Sequence, residues 1–235
     1  MVLPLQAIDP DVKLAIGLGA LVTGAAATAL AVRLQVSGFT LGDGRCSVDQ
    51  YLAYIGPREN DVVANRAWLY APAVHEAADH FGISRSVLMG LVHTESRFKP
   101  DAGSKAGAIG LAQVMPRTAL GIYKRLRDRG QWPFEPVKTN NDPQRAMYEA
   151  EGVAAYLDRT DPRQSAWMGA HYLRSLLDKG RTIEETLAGY NAGPARVKAG
   201  DPMSSWPGET RAYVPGVLKR AGWYRELYEA CRAPT

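Results

Sequence analysis

Apolar residues recur three and four positions apart through most of the chain beyond residue 45, which is the spacing of one face of an α-helix. No regular alternation of apolar and polar residues accompanies them, although the glycine-rich 103–114 segment leaves room for a small irregular hairpin. The pattern predicts a mainly α fold, with helices at about residues 61–80, 84–98, 116–129, 143–158, 165–179, 182 onward and 209–231.

Residues that start and stop helices refine these boundaries. Ser84 is a candidate N-cap, and Pro100 ends the same helix. Thr182 and Glu185 have the spacing of a capping box, in which each side chain bonds the other residue's backbone amide. Pro215 lies inside the last predicted helix, where a proline removes one backbone hydrogen bond. We therefore expect that helix to be kinked or broken at Pro215.

The first 45 residues have a different pattern. Residues 14–32 form an uncharged stretch of 19 residues closed by Arg33, about the length that crosses a hydrocarbon core as a helix. A buried core helix is the weakest interpretation, because no polar face interrupts the stretch. A cleavable signal peptide stays open, but Asp9 and Asp11 make a poor positively charged region before it. An uncleaved transmembrane anchor is favoured.

These boundaries divide the chain into four parts. Residues 1–13 are an N-terminal segment, 14–33 the anchor or signal helix, and 34–45 a glycine-containing linker. Residues 46–235 are then a single helical domain. The pattern alone does not fix which side of a membrane this domain occupies.

Composition and charge narrow the class of protein without naming a partner. Hydrophobic residues make up 46% and charged residues 22% of the 235, as is typical of a globular protein. The net charge of +4 suits an anionic polymer or membrane surface, but no nucleic-acid-binding motif accompanies it. The four histidines lack metal-ligand spacing, so neither a metal nor another cofactor is expected. Cys46 and Cys231 are either free thiols or a disulfide formed in an oxidising compartment.

Glu95 is the first candidate for chemistry. Leu88 and Leu91 precede it at helical spacing, so its carboxyl lies on the apolar face near the C-terminal end of its helix. Burial and the negative end of the helix dipole both raise a carboxyl pKa, which favours a protonated acid near neutral pH. Such an acid can protonate a glycosidic oxygen. The competing interpretation is a surface glutamate that pairs with Arg97 or Lys99.

Three blocks of sequence resemble the soluble-lytic-transglycosylase family, whose catalytic domain is lysozyme-like. Residues 95–119 (ESRFKPDAGSKAGAIGLAQVMPRTA) are similar to its catalytic segment, where Glu-Ser is followed by a glycine-rich turn and Gly-Leu-x-Gln-x-Met-Pro. Residues 187–197 (LAGYNAGPARV) resemble its Tyr-Asn-Ala-Gly-Pro motif, and residues 209–218 (ETRAYVPGVL) its Glu-Thr-x-x-Tyr-Val segment. The blocks stand in family order and extend over more than half of the chain.

The resemblance implies a role for each matching residue. Glu95 corresponds to the family's single catalytic acid and base, and Ser104 to a serine that steers the N-acetyl group of the substrate. Tyr190 corresponds to a tyrosine that orients the reacting sugar. The remaining matches are expected to line the sugar groove: Gln113, Met115, Asn191, Glu209 and Tyr213.

Three of these matches also have a purely structural interpretation. Met115 is a candidate core residue, Asn191 a candidate helix C-cap, and Glu209 a favourable charge at a helix N-terminus. Sequence leaves both interpretations open for each of them.

A one-acid mechanism fits the substrate that the resemblance implies. Most glycosidases use two carboxylates, but substrate-assisted enzymes are exceptions. In peptidoglycan, the acetamido oxygen of N-acetylmuramic acid can attack its own anomeric carbon once Glu95 protonates the leaving oxygen. The 6-hydroxyl of the same sugar then closes on that carbon, which gives a 1,6-anhydro product.

Residues 120–160 depart from the family pattern, because they are longer than the usual link to the next motif helix. We interpret them as a helical insertion that edges the groove or contacts a partner. Tyr123, Trp132 and Phe134 are candidates for stacking on sugars, although aromatic residues at such spacing are more often part of a core.

The resemblance therefore predicts a peptidoglycan lytic transglycosylase that acts on glycan strands. Its catalytic domain is expected in the periplasm, tethered to the inner membrane or secreted after signal cleavage. A tether suits local opening of the wall by a secretion machine or by a phage genome-ejection assembly. A water-using muramidase of the same fold and an anchored structural component that binds the wall remain as alternatives.

Overall fold

A computed structural model describes residues 46–232, which are mainly helical. β-Structure in this range is limited to two isolated bridges, which pair Ile109 with Gly103 and with Val114. The mainly α prediction and the small irregular hairpin within 103–114 are confirmed. The helices in chain order are α1 Val48–Ile55, a 3-10 turn Gly56–Arg58, α2 Asp61–His80, α3 Arg85–Ser96, α4 Pro116–Asp128, α5 Arg145–Ala150, α6 Pro162–Leu177, α7 Ile183–Ala192, a 3-10 turn Met203–Ser205 and α8 Gly208–Arg232.

The question of a membrane anchor concerns the N-terminal part of the chain. The predicted anchor or signal helix of residues 14–33 and the linker of 34–45 lie outside the described residues. Between residues 46 and 232, no helix combines the length and the apolar character needed to cross a membrane.

The described residues form two compact units. One contains residues 46–73 and 223–232, which are α1, the start of α2 and the end of α8. Its core includes Tyr51, which is fully buried and whose hydroxyl lies 3.1 Å from that of Tyr228. The other unit contains residues 74–222 and carries every candidate site residue.

A disulfide joins Cys46 to Cys231 in the first unit, with Cα atoms 5.5 Å apart. Of the two interpretations of these cysteines, the structure therefore selects the disulfide. Such a bond stabilises chiefly by restricting the unfolded chain.

The second unit is built around α6. Ten of its 16 residues are buried, and it packs against both α4 and α7. Gly169 allows the α6 backbone to approach the 103–114 loop closely, because a Cβ at this position would lie 2.5 Å from the Cβ of Ala112. The most buried helix of the unit thus supports the loop that holds Gln113.

The prediction of a helix over 143–158 is wrong beyond α5. Side chains bond the backbone in place of helical hydrogen bonds. Asn140 Nδ2 donates to the carbonyls of Ala154 and Leu157, and Asp158 accepts hydrogen bonds from the amides of Asn141 and Thr160. Asn and Asp side chains compete with helices in this way.

Two helix starts also differ from the prediction. Helix α6 begins three residues early, because Asp161 caps it by accepting a hydrogen bond from the Gln164 amide and Pro162 occupies its first turn. Helix α1 was not predicted, although Ser47 and Gln50 form a complete capping box at its start. The capping box of Thr182 and Glu185 is confirmed.

Pro215 does not break α8, which is continuous from Gly208 to Arg232. A proline at this position leaves the carbonyl of residue 211 without its helical partner. Both Pro215 and Arg211 are exposed, so water can satisfy that carbonyl. The expected break is therefore wrong, while a kink at Pro215 stays a prediction.

Candidate active site

Glu95 lies in the last turn of α3, where its half-buried carboxyl accepts a hydrogen bond from the Tyr213 hydroxyl, 2.5 Å from Oε1. Burial raises the pKa of Glu95 from 4.5 to about 7. The Tyr213 hydrogen bond lowers this pKa and the negative charge of Glu209 raises it, both by less than burial does. A carboxyl with this pKa is protonated in a large fraction of molecules at neutral pH, as a general acid requires.

Two tyrosines share the electrostatic environment of Glu95. Burial raises the pKa of Tyr190 and of Tyr213 well above the usual value, and the charge of Glu95 raises both further. Both hydroxyls therefore stay protonated and act as hydrogen-bond donors. The Tyr213 hydroxyl donates to Glu95, and that of Tyr190 donates to the Ala112 carbonyl at 2.7 Å.

Two left-handed residues turn the chain sharply after Glu95, which ends α3 at Ser96 rather than near Phe98. Arg97 and Phe98 have φ values of 52° and 58°, a region that residues other than glycine rarely adopt. The Phe98 side chain is fully buried, with its ring centre 5.6 Å from that of His93. This apolar anchor stabilises the turn and directs the chain into the 103–114 loop.

Gln113 occupies a constrained position in that loop. Its φ is 48°, and its amide nitrogen donates to the carbonyls of Ala102 and Gly110, at 2.7 and 3.0 Å. These bonds use both amide hydrogens, so Oε1 is the atom of the amide group that is left to accept a hydrogen bond from a ligand. The structure thus fixes the orientation of Gln113 before any substrate arrives.

Ser104 precedes Gln113 in the sequence and Met115 follows it, and both residues are exposed. Ser104 Oγ accepts a hydrogen bond from the Ala108 amide at 3.0 Å, which closes the tip of the loop and leaves the hydroxyl proton available to an acceptor. Met115 is 41% exposed, so its interpretation as a core residue is wrong.

Asn191 lies in α7 and Glu209 lies in α8. Asn191 Oδ1 accepts a hydrogen bond from the Thr210 hydroxyl at 2.7 Å, so Asn191 ties the two helices together. The C-cap of α7 is Gly193, which excludes that interpretation of Asn191. Glu209 lies exposed in the first turn of α8, and its charge acts on the carboxyl of Glu95.

The aromatic residues of the 120–160 segment pack against one another. The ring of Trp132 lies 5.0 Å from Tyr123 and 5.0 Å from Phe134, and Phe134 lies 5.6 Å from Trp167 of α6. Tyr123 is only 2% exposed. This chain of edge-to-face contacts supports the interpretation of these residues as core.

Two further residues that hold the loop were not predicted. Ser165 of α6 accepts a hydrogen bond from the Ala112 amide at 3.2 Å, and Arg159 donates to the carbonyls of Gly107 and Val114. Serine and arginine are common on surfaces, and no motif spacing distinguishes these two. Only the fold shows that they face the loop.

The arrangement combines one titratable acid, neutral tyrosine donors and a rigid polar loop. Among residues 46–232, no group of three or more acidic, histidine or cysteine side chains is placed to hold a metal ion. The chemistry that these side chains can supply is proton transfer at neutral pH, with hydrogen-bond donors and acceptors that orient a polar ligand.

Sequence comparison identifies related proteins. The model of the transglycosylase SLT domain family matches residues 72–204, which is more than half of the chain. The membrane-bound lytic murein transglycosylase C of Histophilus somni is 51% identical over 81 residues, or 32% of this chain and 22% of that protein. The protein of the same name from Haemophilus ducreyi is 49% identical over 103 residues, or 42% and 28%. The chain thus spans about a quarter of the length of these relatives.

Structural comparison leads to the same family. The 70 kDa soluble lytic transglycosylase of Escherichia coli aligns with a TM-score of 0.53 and 25% sequence identity, over 75% of this chain and 27% of that one. The family match includes Glu95, Gln113 and Tyr190, while Tyr213 lies beyond its end. The chain belongs to the transglycosylase SLT domain family.

Proposed function

We propose that this protein is a peptidoglycan lytic transglycosylase that cleaves the β-1,4 bond between N-acetylmuramic acid and N-acetylglucosamine. The observation that carries the proposal is Glu95, whose pKa is raised to about 7 and whose Oε1 is held by Tyr213. Glu95 is the first residue of the 95–119 block, which resembles the family's catalytic segment. The names of the relatives, which are lytic murein transglycosylases, support the same substrate class.

The proposed reaction uses Glu95 twice. In the first step the protonated carboxyl donates its proton to the glycosidic oxygen, and the bond from that oxygen to the anomeric carbon of N-acetylmuramic acid breaks. The 2-acetamido oxygen of the same sugar forms a bond to the anomeric carbon and gives a cyclic oxazolinium. The hydroxyl of Tyr213 stabilises the carboxylate that Glu95 has become.

In the second step the Glu95 carboxylate removes the proton of the sugar's 6-hydroxyl. The 6-oxygen attacks the anomeric carbon, and the bond from that carbon to the acetamido oxygen breaks. The products are a 1,6-anhydro sugar and a free N-acetylglucosamine end. Glu95 is protonated again, and no water is consumed.

The other matched residues orient the sugar in this scheme. The Gln113 Oε1 atom accepts a hydrogen bond from a sugar hydroxyl, because its amide nitrogen is already engaged. Ser104 donates its hydroxyl proton to the N-acetyl oxygen, and the exposed Met115 packs on a sugar face. Tyr190 fixes the Ala112 carbonyl beside Gln113, while Asn191 and Glu209 shape the wall formed by α7 and α8.

We further propose that the enzyme works in the periplasm from a membrane tether. The uncharged stretch of residues 14–32 and the names of the relatives, which are membrane-bound transglycosylases, support the tether. The disulfide between Cys46 and Cys231 fits an oxidising compartment. A tethered enzyme opens the wall locally, as a secretion machine or a phage genome-ejection assembly requires.

The reaction products test the proposal. Purified sacculi digested with the full chain are expected to release muropeptides that end in 1,6-anhydro-N-acetylmuramic acid, one water lighter in mass spectrometry than hydrolytic products. Reducing ends in their place would show a water-using muramidase and contradict the proposal. Binding to sacculi without cleavage would show a structural wall-binding component.

A substitution assigns the activity to the site. Glu95→Gln is expected to lower the rate of cleavage by about 10³-fold, because the amide cannot donate the catalytic proton. Glu184→Gln removes an exposed glutamate in the first turn of α7 and is the matched control, with activity close to that of the unsubstituted protein.

A further inference from the structure

A buried ion pair lies next to the loop that holds Gln113. The side chains of Arg159 and Asp142 both have 0% exposure. Arg159 Nε donates to Asp142 Oδ2 and Nη2 donates to Oδ1, each at 2.7 Å. This two-point contact fixes the plane of the guanidinium. Asp142 therefore determines the direction in which the remaining nitrogen, Nη1, points.

Nη1 of Arg159 reaches both ends of one short segment. It donates to the Gly107 carbonyl and to the Val114 carbonyl, each at 2.8 Å. These two residues bracket the stretch that contains Gln113. One guanidinium nitrogen therefore fixes the separation of the two ends of that stretch.

The backbone of Arg159 fits the same segment closely. A Cβ at Gly110 would lie 2.0 Å from the Arg159 carbonyl oxygen, and Gly110 has a φ of 88°. Since Gly110 also accepts one of the amide hydrogen bonds of Gln113, its position sets the orientation of the Gln113 side chain. The contact leaves no space for the loop to move toward Arg159.

We propose that Arg159, oriented by Asp142, is a positioning residue that holds Gln113 in its substrate-binding conformation. The proposal rests on the proposed function, in which Gln113 binds the sugar. It also gives the 120–160 segment a role, because Asp142 and Arg159 both lie within that segment. The segment acts through the loop rather than through contact with the sugar.

The alternative is an ion pair that stabilises the fold and has no effect on the site. Two substitutions separate these roles. Arg159→Lys keeps the charge, but an ammonium cannot bond two carboxylate oxygens and two carbonyls in the same plane. The double substitution Asp142→Leu with Arg159→Met removes both charges together, which buried pairs often tolerate in stability. Arg163→Lys, in the exposed pair with Glu76, is the matched control.

The kinetics are measured on soluble, uncrosslinked glycan strands, with each variant shown to be folded by its thermal transition. We expect both Arg159 variants to raise KM about tenfold with a smaller change in kcat, since a displaced Gln113 weakens sugar binding. The alkaline limb of the pH profile is expected to stay near pH 7, because Glu95 is not displaced. Arg163→Lys is expected to leave KM unchanged.

A double-mutant cycle with Gln113→Ala is the most specific test. If Arg159 acts through Gln113, Arg159→Lys is expected to add little to the KM of the Gln113→Ala variant. Fully additive effects, or a folded Arg159 variant with an unchanged KM, would overturn the proposal. So would failure of both Arg159 variants to fold, since that result shows a role in stability alone.

A measurement without catalysis separates this proposal from the proposed function. Hydrogen exchange is expected to be faster across residues 107–114 in the Arg159→Lys variant than in the Arg163→Lys variant. If the unsubstituted protein fails to cleave sacculi, the proposed function fails, while faster exchange in this segment still shows that Arg159 positions the loop. Equal exchange in the two variants contradicts the positioning role whatever the activity.

Discussion

The carboxyl groups of Glu95 and Asp142, both in the second unit, differ in the number of hydrogen-bond donors around them. Among the described residues, Glu95 accepts one hydrogen bond, from the Tyr213 hydroxyl. Asp142 accepts hydrogen bonds from two guanidinium nitrogens and the backbone amide of Arg159, and from the Gln144 amide. A carboxylate with this many donors is held in a fixed position and orientation. A carboxyl with few donors can exchange a proton, which is what an acid catalyst must do.

The largest expected effect tests the holding role of the Asp142 pair. Arg159→Ala leaves Asp142 buried without its cation, so we expect the free energy of unfolding to fall by about 3–5 kcal/mol. Arg163→Ala, which removes the partner of Glu76 on the surface, is expected to cost less than about 1 kcal/mol. Urea denaturation monitored by circular dichroism measures both. Equal losses in the two variants would erase the contrast between a buried and an exposed pair.

Burial of the Glu95 carboxyl costs stability once the carboxyl is charged. Its pKa rises from 4.5 to about 7 on folding, so the folded state binds the proton more tightly than the unfolded state does. Stability from this group is fully present below about pH 4.5 and is lost as the pH rises toward 7. Glu95→Gln cannot titrate, and we expect it to exceed the unsubstituted protein in stability above pH 7, by on the order of 1–2 kcal/mol.

Thermal melts of the two proteins at several pH values measure this difference. It is expected to widen between about pH 4.5 and 7 and to stay constant above that range. A difference that does not change with pH would show that Glu95 keeps its ordinary pKa. Glu95 and Asp142 would then differ in the number of hydrogen bonds that they accept, and the smaller number at Glu95 would have no effect on its pKa.

The smallest expected effect isolates the hydrogen bond that the Tyr213 hydroxyl donates to Glu95. Tyr213→Phe removes a donor that lowers the pKa of Glu95, so the alkaline limb of the pH–rate profile should move upward. We expect kcat to fall by about five- to tenfold, because the carboxylate formed in the reaction loses a stabilising donor. Tyr156→Phe, at an exposed tyrosine stacked on Tyr123, is the control. An unchanged limb would show that Tyr213 has no influence on the acid.

The apolar pattern predicted the helix of Glu95 and its partly buried carboxyl because both depend on residues close in sequence. The same is true of the capping box at Thr182, which bonds residues three apart. Tyr213 lies 118 residues from Glu95, and only the family resemblance placed it at the site. Pattern alone cannot indicate a contact of that separation.

The errors have a common physical origin. The helix expected over 143–158 has suitable residues, but Asn140 bonds the Ala154 carbonyl from outside the segment, and Asp158 bonds the amide of Asn141, which precedes the segment. Arg159 carried no signal, since an arginine is usually exposed and its burial depends on an aspartate 17 residues away. Long-range side-chain bonds decide both cases, and neither helix periodicity nor motif spacing records them.

The disulfide between Cys46 and Cys231 closes the polypeptide between them into a covalent ring. The two cysteines are 185 positions apart in the sequence. A single proteolytic cut within an exposed stretch such as residues 198–205 would open the ring without separating the fragments. The nicked protein would run as one band on a non-reducing gel and as two after reduction. A protein built in this way can survive a first protease cut with its fragments still joined.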